Sequence, residues 1–577
     1  MLIKQRELPE SVPALGQMSP VLQRIYATRG ITDETQLDKR LQTLLPFNTL
    51  SDIDKACARL KIALEKQQRI LIIGDFDADG ATSTAVAIAA LKTMGAAHVD
   101  YLVPNRFEFG YGLTPAIVDV AKKWQPDLII TVDNGIASIE GVDAANEVGI
   151  DVLITDHHLP AETLPKACAI VNPNQTGDEF NSKSIAGVGV IFYVMLALRR
   201  HLTNDGWFTA QSIPEPNMSQ FLDLVALGTV ADVVALDQNN RILVNQGLTR
   251  IRQGLCRPGI KALIDIAGRD ITRLRESDLG FAVAPRLNAA GRLDDMSLGI
   301  ECLLCDDINK ARDFAEQLNE LNHERRVIEA EMKEQALIAV EKLTKKLEHS
   351  QKLPVALCLL DNTWHQGVIG ILAGRLKERY HRPVIAFAQV NDTELKGSAR
   401  SVSALNIRDV LAAVDKDNPG LITKFGGHAM AAGLSLTLDN FSAFQEAFTL
   451  EVARHLDVSQ CEGQLMTDGA LTAKEITMET ALLLQTAGPW GQQFPEPCFD
   501  NVFEVLDQRL VGQHHLKLTL VHAAGGEPID AIAFNIDLNC WPNYRVKQVH
   551  IAYKLDINVY KGRSRLQLLV EALRAIS

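Results

Sequence analysis

Between residues 69 and 155 the chain repeatedly runs a short apolar segment into a carboxylate and then into a helix-like stretch. The apolar segments are Arg69–Gly74, Val99–Val103, Leu128–Val132 and Val152–Thr155, with helical patterns over Ala81–Met94 and Pro115–Trp124 between them. Strands buried on both faces carry continuous rather than alternating apolar residues. The pattern therefore predicts an α/β fold, a parallel sheet with helices on both sides. Ligands of such sheets gather beyond the carboxyl ends of the strands, and the acids of this chain fall at those ends. Asp75, Asp77 and Asp79 follow the first segment, Asp133 follows the third, and Asp156-His157-His158 follows the fourth.

Carboxylates packed this closely repel one another, and some stay protonated unless a cation neutralises them. Oxygen donors suit hard divalent cations, so the cluster points to Mg²⁺ or Mn²⁺. Taken alone, Gly74–Gly80 reads equally as a solvated acidic loop or as a helix N-terminus that favours negative charge. Three separate strands delivering acid or imidazole to one edge select the metal site. Asp232 closes the apolar helical run that starts at Phe221, and by itself reads as a helix C-cap or turn residue.

Composition narrows the class. A length of 577 residues suggests about four domains. The longest apolar run, Val188–Leu198, is too short to span a bilayer. The N-terminal residues lack the apolar core of a signal peptide. Nine scattered cysteines suit reduced thiols and a cytoplasmic location, and Cys302-x-x-Cys305 reads as helix-core packing. A net charge of −13 argues against a broad basic surface for nucleic acid, but leaves a local phosphate-binding site open.

Four segments, in order, resemble the motifs of the DHH phosphoesterase superfamily. They are Gly74-Asp75-Phe76-Asp77-Ala78-Asp79-Gly80, Asp133-Asn134-Gly135, Asp156-His157-His158 and Gly228-Thr229-Val230-Ala231-Asp232. Gly426-Gly427-His428-Ala429-Met430-Ala431-Ala432-Gly433 resembles the signature of its DHH-associated domain. From about residue 20 to 577 the chain is similar to the superfamily's single-strand-specific DNA exonucleases.

The resemblance implies a hydrolase with two ions, Mg²⁺ or Mn²⁺, in which Asp133 bridges. Asp77 would bind one ion, and Asp79, His157 and Asp232 the other. Ile73 stands where the superfamily has a histidine for the first ion, and Asp75 is the neighbour placed to compensate. Adjacent His157 and His158 cannot point the same way from an extended backbone. His157 is thus expected as the ligand and His158 as a contact to the reacting phosphate, with Asp156 orienting rather than binding metal. The same resemblance makes Arg106, Arg286, Ser398 and Arg400 phosphate-binding candidates that help set 5′-end polarity. His428 becomes a substrate contact near the metal cleft. Arg292 could equally pair with Asp294 or Asp295.

The expected organisation is an N-terminal arm over 1–50, broken by Pro9, Pro13 and Pro20, then a DHH catalytic domain over 51–305. A long helix over 306–350, rich in Glu and Lys, would join it to a DHH-associated α/β domain over 351–454. Five strand patterns within 455–577 suggest a small antiparallel barrel. The resemblance makes this barrel an OB-fold for single strands, with Lys561, Arg563 and Arg565 on a basic edge; a purely structural β-domain is the alternative.

The function so implied is a 5′-to-3′ single-stranded-DNA exonuclease that releases mononucleotides in recombination and mismatch repair. It would work as a monomer, away from membranes, with a helicase and a single-stranded DNA-binding protein. A phosphodiesterase of short oligoribonucleotides or cyclic dinucleotides and a non-catalytic scaffold are the rival readings.

Overall fold

A computed structural model describes residues 2–10, 15–105, 109, 112–346, 353–457, 461, 463–538, 540–560 and 562–576. The acidic cluster rests on a sheet of five parallel strands in the order Val99–Leu102, Ile70–Gly74, Leu128–Val132, Asp151–Thr155, Ala169–Val171. Every residue of Ile70–Gly74 and Leu128–Val132 is buried. Their side chains alternate between two cores, as the period of a strand requires. Leu71, Ile73 and Ile129 pack with Leu113, Ile117 and Val142, while Ile70, Ile72 and Ile130 face the helices Ala78–Thr93 and Gly187–Asn204. Ile73 is thus a core residue with no part in metal binding.

The helix after the first strand starts at Ala78, three residues before the sequence pattern places it. The Asp77 side chain accepts hydrogen bonds from the N–H groups of Asp79 (2.9 Å) and Gly80 (3.0 Å), capping the helix. Asp79 consequently lies in its first turn rather than in a loop.

A helix of 39 residues, Ile308–Lys346, leads out of the catalytic domain and is about 58 Å long. It is fastened to the next domain by Trp364 Nε1–H donating to Gln335 Oε1 (2.9 Å) and by the Arg375–Glu329 pair (3.0 Å). That domain holds a mixed sheet in the order Lys424–Gly427, Ala431–Thr437, Glu394–Arg400, Val384–Gln389, Leu357–Asp361, in which only the last pair is parallel.

Residues 499–575 close into a barrel in the order Phe499–Val511, His515–His522, Ile529–Ala533, Arg563–Ala575, Gln548–Tyr560. The expectation of a wholly antiparallel barrel needs one correction: Ile529–Ala533 and Arg563–Ala575 run parallel.

The N-terminal segment is no peripheral arm. Leu2–Gln5 pairs in parallel with Gln464–Thr467. Arg29 and Asp468 form a two-pronged ion pair at 2.7 and 3.1 Å, with both side chains 1 % exposed. The ring of Tyr26 stacks against Trp490 and Phe494, and its hydroxyl donates to the Ala487 carbonyl (2.9 Å). Pro20 does not break this stretch but opens the helix Pro20–Ala27, and Leu15, Val21, Leu22 and Ile25 are buried. All nine cysteines are free. Cys302 is buried beside the Gly259 and Ala311 carbonyls, as helix-core packing requires. Among the described residues no helix is long and apolar enough to cross a membrane.

Candidate metal centre

At the carboxyl edge of the parallel sheet, side-chain donors gather into three groups whose ligand atoms lie within 4.8 Å of one another: Asp75, Asp77 and Asp133; Asp79, His157 and Asp232; and Asp133, His157 and His158. Asp133 and His157 belong to two groups each, so the clusters share a wall. His157 Nε2 is 3.1 Å from Asp133 Oδ1 and 3.5 Å from Asp232 Oδ2. That nitrogen is buried and makes no hydrogen bond. A buried imidazole nitrogen aimed into a ring of carboxylates fits a divalent cation. Asp75, 7 % exposed, supplies the third carboxylate of the group beside the position that Ile73 leaves without a donor.

Backbone geometry holds the cluster in place. Asp133 has a left-handed conformation, φ 62°, at the end of its strand; such a conformation costs ~1–3 kcal/mol and persists where the surroundings impose it. The Asn134 amide clamps it by donating to the carbonyls of Ile73 (3.0 Å) and Val132 (2.9 Å), joining the ends of two neighbouring strands. Asp79 accepts from the N–H groups of Gly187 (2.7 Å) and Val188 (2.9 Å), the first residues of the helix Gly187–Asn204. Gly187 is required there, since a Cβ would sit 2.5 Å from Asp133 Oδ1. Asp232 is the C-cap of Leu222–Ala231, in the role its sequence context suggests.

Electrostatics in the cluster are frustrated. Burial, then the Asp232 charge, pushes Asp79 up to about 7. Burial, then the Asp77 charge, pushes Asp232 up to about 7. Asp133 is raised well above the ordinary carboxylate range by burial, then by Asp79 and Asp77. Burial, then the charge of His158, keeps His157 below its usual value and hence neutral, the form that binds metal. Cations at this edge would replace protons and relieve the repulsion.

Asp156 does different work. Its carboxylate accepts from the N–H groups of Ile136 (2.9 Å), His157 (2.7 Å) and His158 (3.0 Å), and is 2.7 Å from His158 Nδ1. Burial disfavours charge on both partners, but the ion pair wins: His158 is carried up to about 9 and Asp156 is held at about 2. Asp156 thereby orients a cationic His158. Asn172 and Asn174, after the edge strand Ala169–Val171, donate to the carbonyls of His158 (2.9 Å) and His157 (2.6 Å).

The second domain reaches this edge. The His428 ring stacks on His158, with centroids 5.3 Å apart and planes at 28°. Ser398 and Arg400 lie two apart on the strand Glu394–Arg400, and Arg400 Nη1 donates to Ser398 Oγ (3.0 Å). Both sit under the first turn of Ile369–Tyr380, where a Cβ on Gly370 would be 2.9 Å from each. A guanidinium, a hydroxyl and a helix N-terminus together suit an anion. Arg292 bridges the domains by donating to the Gly367 carbonyl (3.1 Å).

Two candidates stand apart. Arg106 lies outside the described residues. Arg286 is 8 % exposed and donates to the Ala282 carbonyl and to Asn319 Oδ1 (3.0 Å), tying its helix to the turn before it and to the long helix. Sequence reasoning missed Asn288, whose Oδ1 accepts from Ala78 N–H (2.8 Å) and steadies the acidic loop from Ala284–Leu293. Its only signal is its place in the Pro285–Arg292 run.

Residues 69–229 match the DHH family, N-terminal domain, residues 351–454 the DHHA1 domain and residues 467–572 the RecJ OB domain. The single-stranded-DNA-specific exonuclease RecJ of Escherichia coli is 52% identical over 569 residues, covering 99% of this chain and 98% of that protein. The crystal structure of Thermus thermophilus RecJ in complex with Mn²⁺ superposes with a TM-score of 0.79 at 28% identity, over 100% of this chain and 80% of that one. The same protein in complex with Mg²⁺ gives a TM-score of 0.73 at 27% identity, over 100% of this chain and 79% of that one.

Proposed function

The chain belongs to the RecJ family of single-stranded-DNA-specific exonucleases, and on that premise we propose that it degrades single-stranded DNA from the 5′ end by two-metal phosphodiester hydrolysis. The observation that carries this reading is that two donor groups, Asp75–Asp77–Asp133 and Asp79–His157–Asp232, adjoin through His157 Nε2, 3.1 Å from Asp133 Oδ1. Two Mg²⁺ or Mn²⁺ ions there supply activation of water and neutralisation of charge at phosphorus.

The chain's own residues supply the rest. Asp77 and Asp75 would hold one ion and Asp79, His157 and Asp232 the other, with Asp133 within reach of both groups. Asp156 keeps His158 charged and turned toward the cleft, where it meets the non-bridging oxygens of the phosphate. His428, stacked on that ring, narrows the cleft from the second domain. Ser398 and Arg400, beneath a helix N-terminus, receive the terminal 5′-phosphate and so set polarity, with Arg106 as a further phosphate contact, while Arg286 holds its helix in place. The barrel adds a platform for the single strand.

Nine unpaired thiols favour a cytoplasmic enzyme. A monomer supplied with single strands by a helicase and a single-stranded DNA-binding protein accounts for a site built from one chain. Recombination and mismatch repair are the processes that need such an activity.

The test is digestion of 5′- and 3′-labelled single strands, duplexes and dinucleotides with Mn²⁺ or Mg²⁺. Mononucleotides released from the 5′ end of single strands, none from Asp133→Ala, and loss of preference for a 5′-phosphate in Arg400→Ala are expected. Preference for dinucleotides, or DNA binding without hydrolysis that Asp133→Ala leaves unchanged, would overturn the proposal.

A further inference from the structure

The turn that joins Asp278 to the helix Ala284–Leu293 is a π-helix, Leu279–Val283. Single π turns are uncommon and tend to re-aim a side chain at a functional site. This one aims Phe281 into solvent. Its ring is 80 % exposed, the highest value among the exposed large apolar side chains of the described residues.

Three contacts fix Phe281 relative to the metal centre. Gly280 lies against Val230, where a Cβ would be 3.2 Å from Val230 Cγ1; Val230 is two residues before Asp232. The buried Arg286 guanidinium donates to Ala282 O, inside the π turn, and so stiffens it. Downstream, Asn288 holds the N–H of Ala78, next to Asp77. From Phe281 to Asn288 is about 10 Å of helix, so the ring stands near the loop that carries Asp77. The surroundings suit a nucleic-acid strand. Arg326, on the long helix, and Arg269 both lie close enough to Arg286 to act on its charge, and Arg326 is exposed. Val233, directly after Asp232, is 64 % exposed and left-handed, φ 60°, a conformation that β-branched residues avoid. An exposed aromatic, a second apolar side chain at the rim of the metal edge and neighbouring cations combine stacking with phosphate attraction.

We infer that Phe281 is a base-stacking residue of the single-strand path, gripping a nucleobase on the approach to the metal edge. The inference rests on the nuclease reading above and adds to it the residue that holds a base rather than a phosphate. Stacking is indifferent to base identity, because every base presents a π face, so this contact gives grip without sequence preference.

The experiment uses the full chain with Mn²⁺ and two substrates, an ordinary single strand and one with abasic sites at the first four positions. Phe281→Ala is expected to raise KM on the ordinary strand by ~5- to 150-fold, the range for one base–aromatic stack, with the larger share of the loss in KM rather than kcat. Phe281→Trp should restore it. On the abasic strand wild type and Phe281→Ala should converge. In an Asp133→Ala background, which binds without cutting, 2-aminopurine at the third position should be quenched on binding and lose that quenching when Phe281 is Ala. Melting temperatures should match, since the ring is exposed.

A KM unchanged on purified DNA would overturn the inference and leave Phe281 as a surface for a protein partner. A loss equal on both substrates and accompanied by a lower melting temperature would overturn it in favour of a structural role. Failure of the wild type to cut either strand would instead refute the nuclease reading.

Discussion

Asp232→Asn is expected to stabilise the metal-free protein while abolishing hydrolysis. Asp232 ends the helix Leu222–Ala231, where the partial negative charge of the helix terminus opposes a carboxylate. Burial and then the Asp77 charge lift it from 3.8 to about 7. An acid whose folded value lies above its unfolded one holds its proton more tightly when folded. The resulting destabilisation is absent below 3.8, grows as the pH rises and is complete above about 7. Full conversion gives on the order of 4 kcal/mol at pH 8. The side chain is 25% exposed, and solvent screening reduces this to about 1–2 kcal/mol. Asparagine has the same shape, carries no charge and is at home at a helix C-terminus.

Thermal melting in chelator at pH 8 should therefore place Asp232→Asn about 2–4 °C above wild type. At pH 5 the gap should fall to roughly a third, because only that fraction of the interval from 3.8 to about 7 has been crossed. Excess Mn²⁺ should raise the wild type by several degrees and the variant by less, and single-strand hydrolysis should drop at least ~100-fold. A variant that melts below wild type in chelator at pH 8 would refute the reasoning. The carboxylate would then be a structural acceptor, and the cluster would not be strained toward a cation.

Arg29→Met takes the two-pronged partner from buried Asp468, leaving it only Arg6 at 3.7 Å, and leaves the Pro495 carbonyl unmet. Urea denaturation should show a loss of ~3–5 kcal/mol, and a loss below ~1 kcal/mol would mean that the N-terminal segment does not fasten residues 464–500. Gly291→Ala would place a Cβ 1.7 Å from Phe76 O, forcing Ala284–Leu293 away from the acidic loop. A cost of ~1–3 kcal/mol with a clear fall in kcat is expected; wild-type turnover at an unchanged melting temperature would contradict the fit of helix to loop.

The parallel sheet was legible because burial on both faces forces continuous apolar runs, and three of the four runs lead into an acid. Ala169–Val171 was not, since three residues carry no period. The helix start at Ala78 was hidden by its cap: Asp77 reads as an acid of the metal loop and also serves as the residue that begins the helix. The docking of Leu2–Gln5 and Pro20–Ala27 was illegible for another reason, because their partners lie more than 400 residues away and no local pattern encodes such pairing. In the barrel, strand patterns located the elements but carried no sign of direction, so the parallel pair escaped. At the site, residue type and position at the strand ends picked out the acids and imidazoles that the fold brings together. The groups that hold them in place, the amide of Asn134, the N–H groups of Gly187 and Val188, and Asn288, have no chemistry that distinguishes them in sequence.

That division explains how a chain of net charge −13 can act on a polyanion. The acids of the catalytic edge are gathered by neutral donors. N–H groups of Gly187 and Val188 hold Asp79, those of Asp79 and Gly80 hold Asp77, and those of Ile136, His157 and His158 hold Asp156. Backbone amides fix carboxylate positions without cancelling their charge, so the burial, and after it the repulsion, that lift Asp79 and Asp232 to about 7 persist until something positive enters. Divalent ions are the counter-charge that such a cluster accepts, and two of them would offset four of the five carboxylate charges while presenting their own positive charge to a phosphate. Attraction for the strand is then local and metal-dependent, concentrated where cleavage occurs, while the acidic remainder of the surface disfavours idle binding elsewhere.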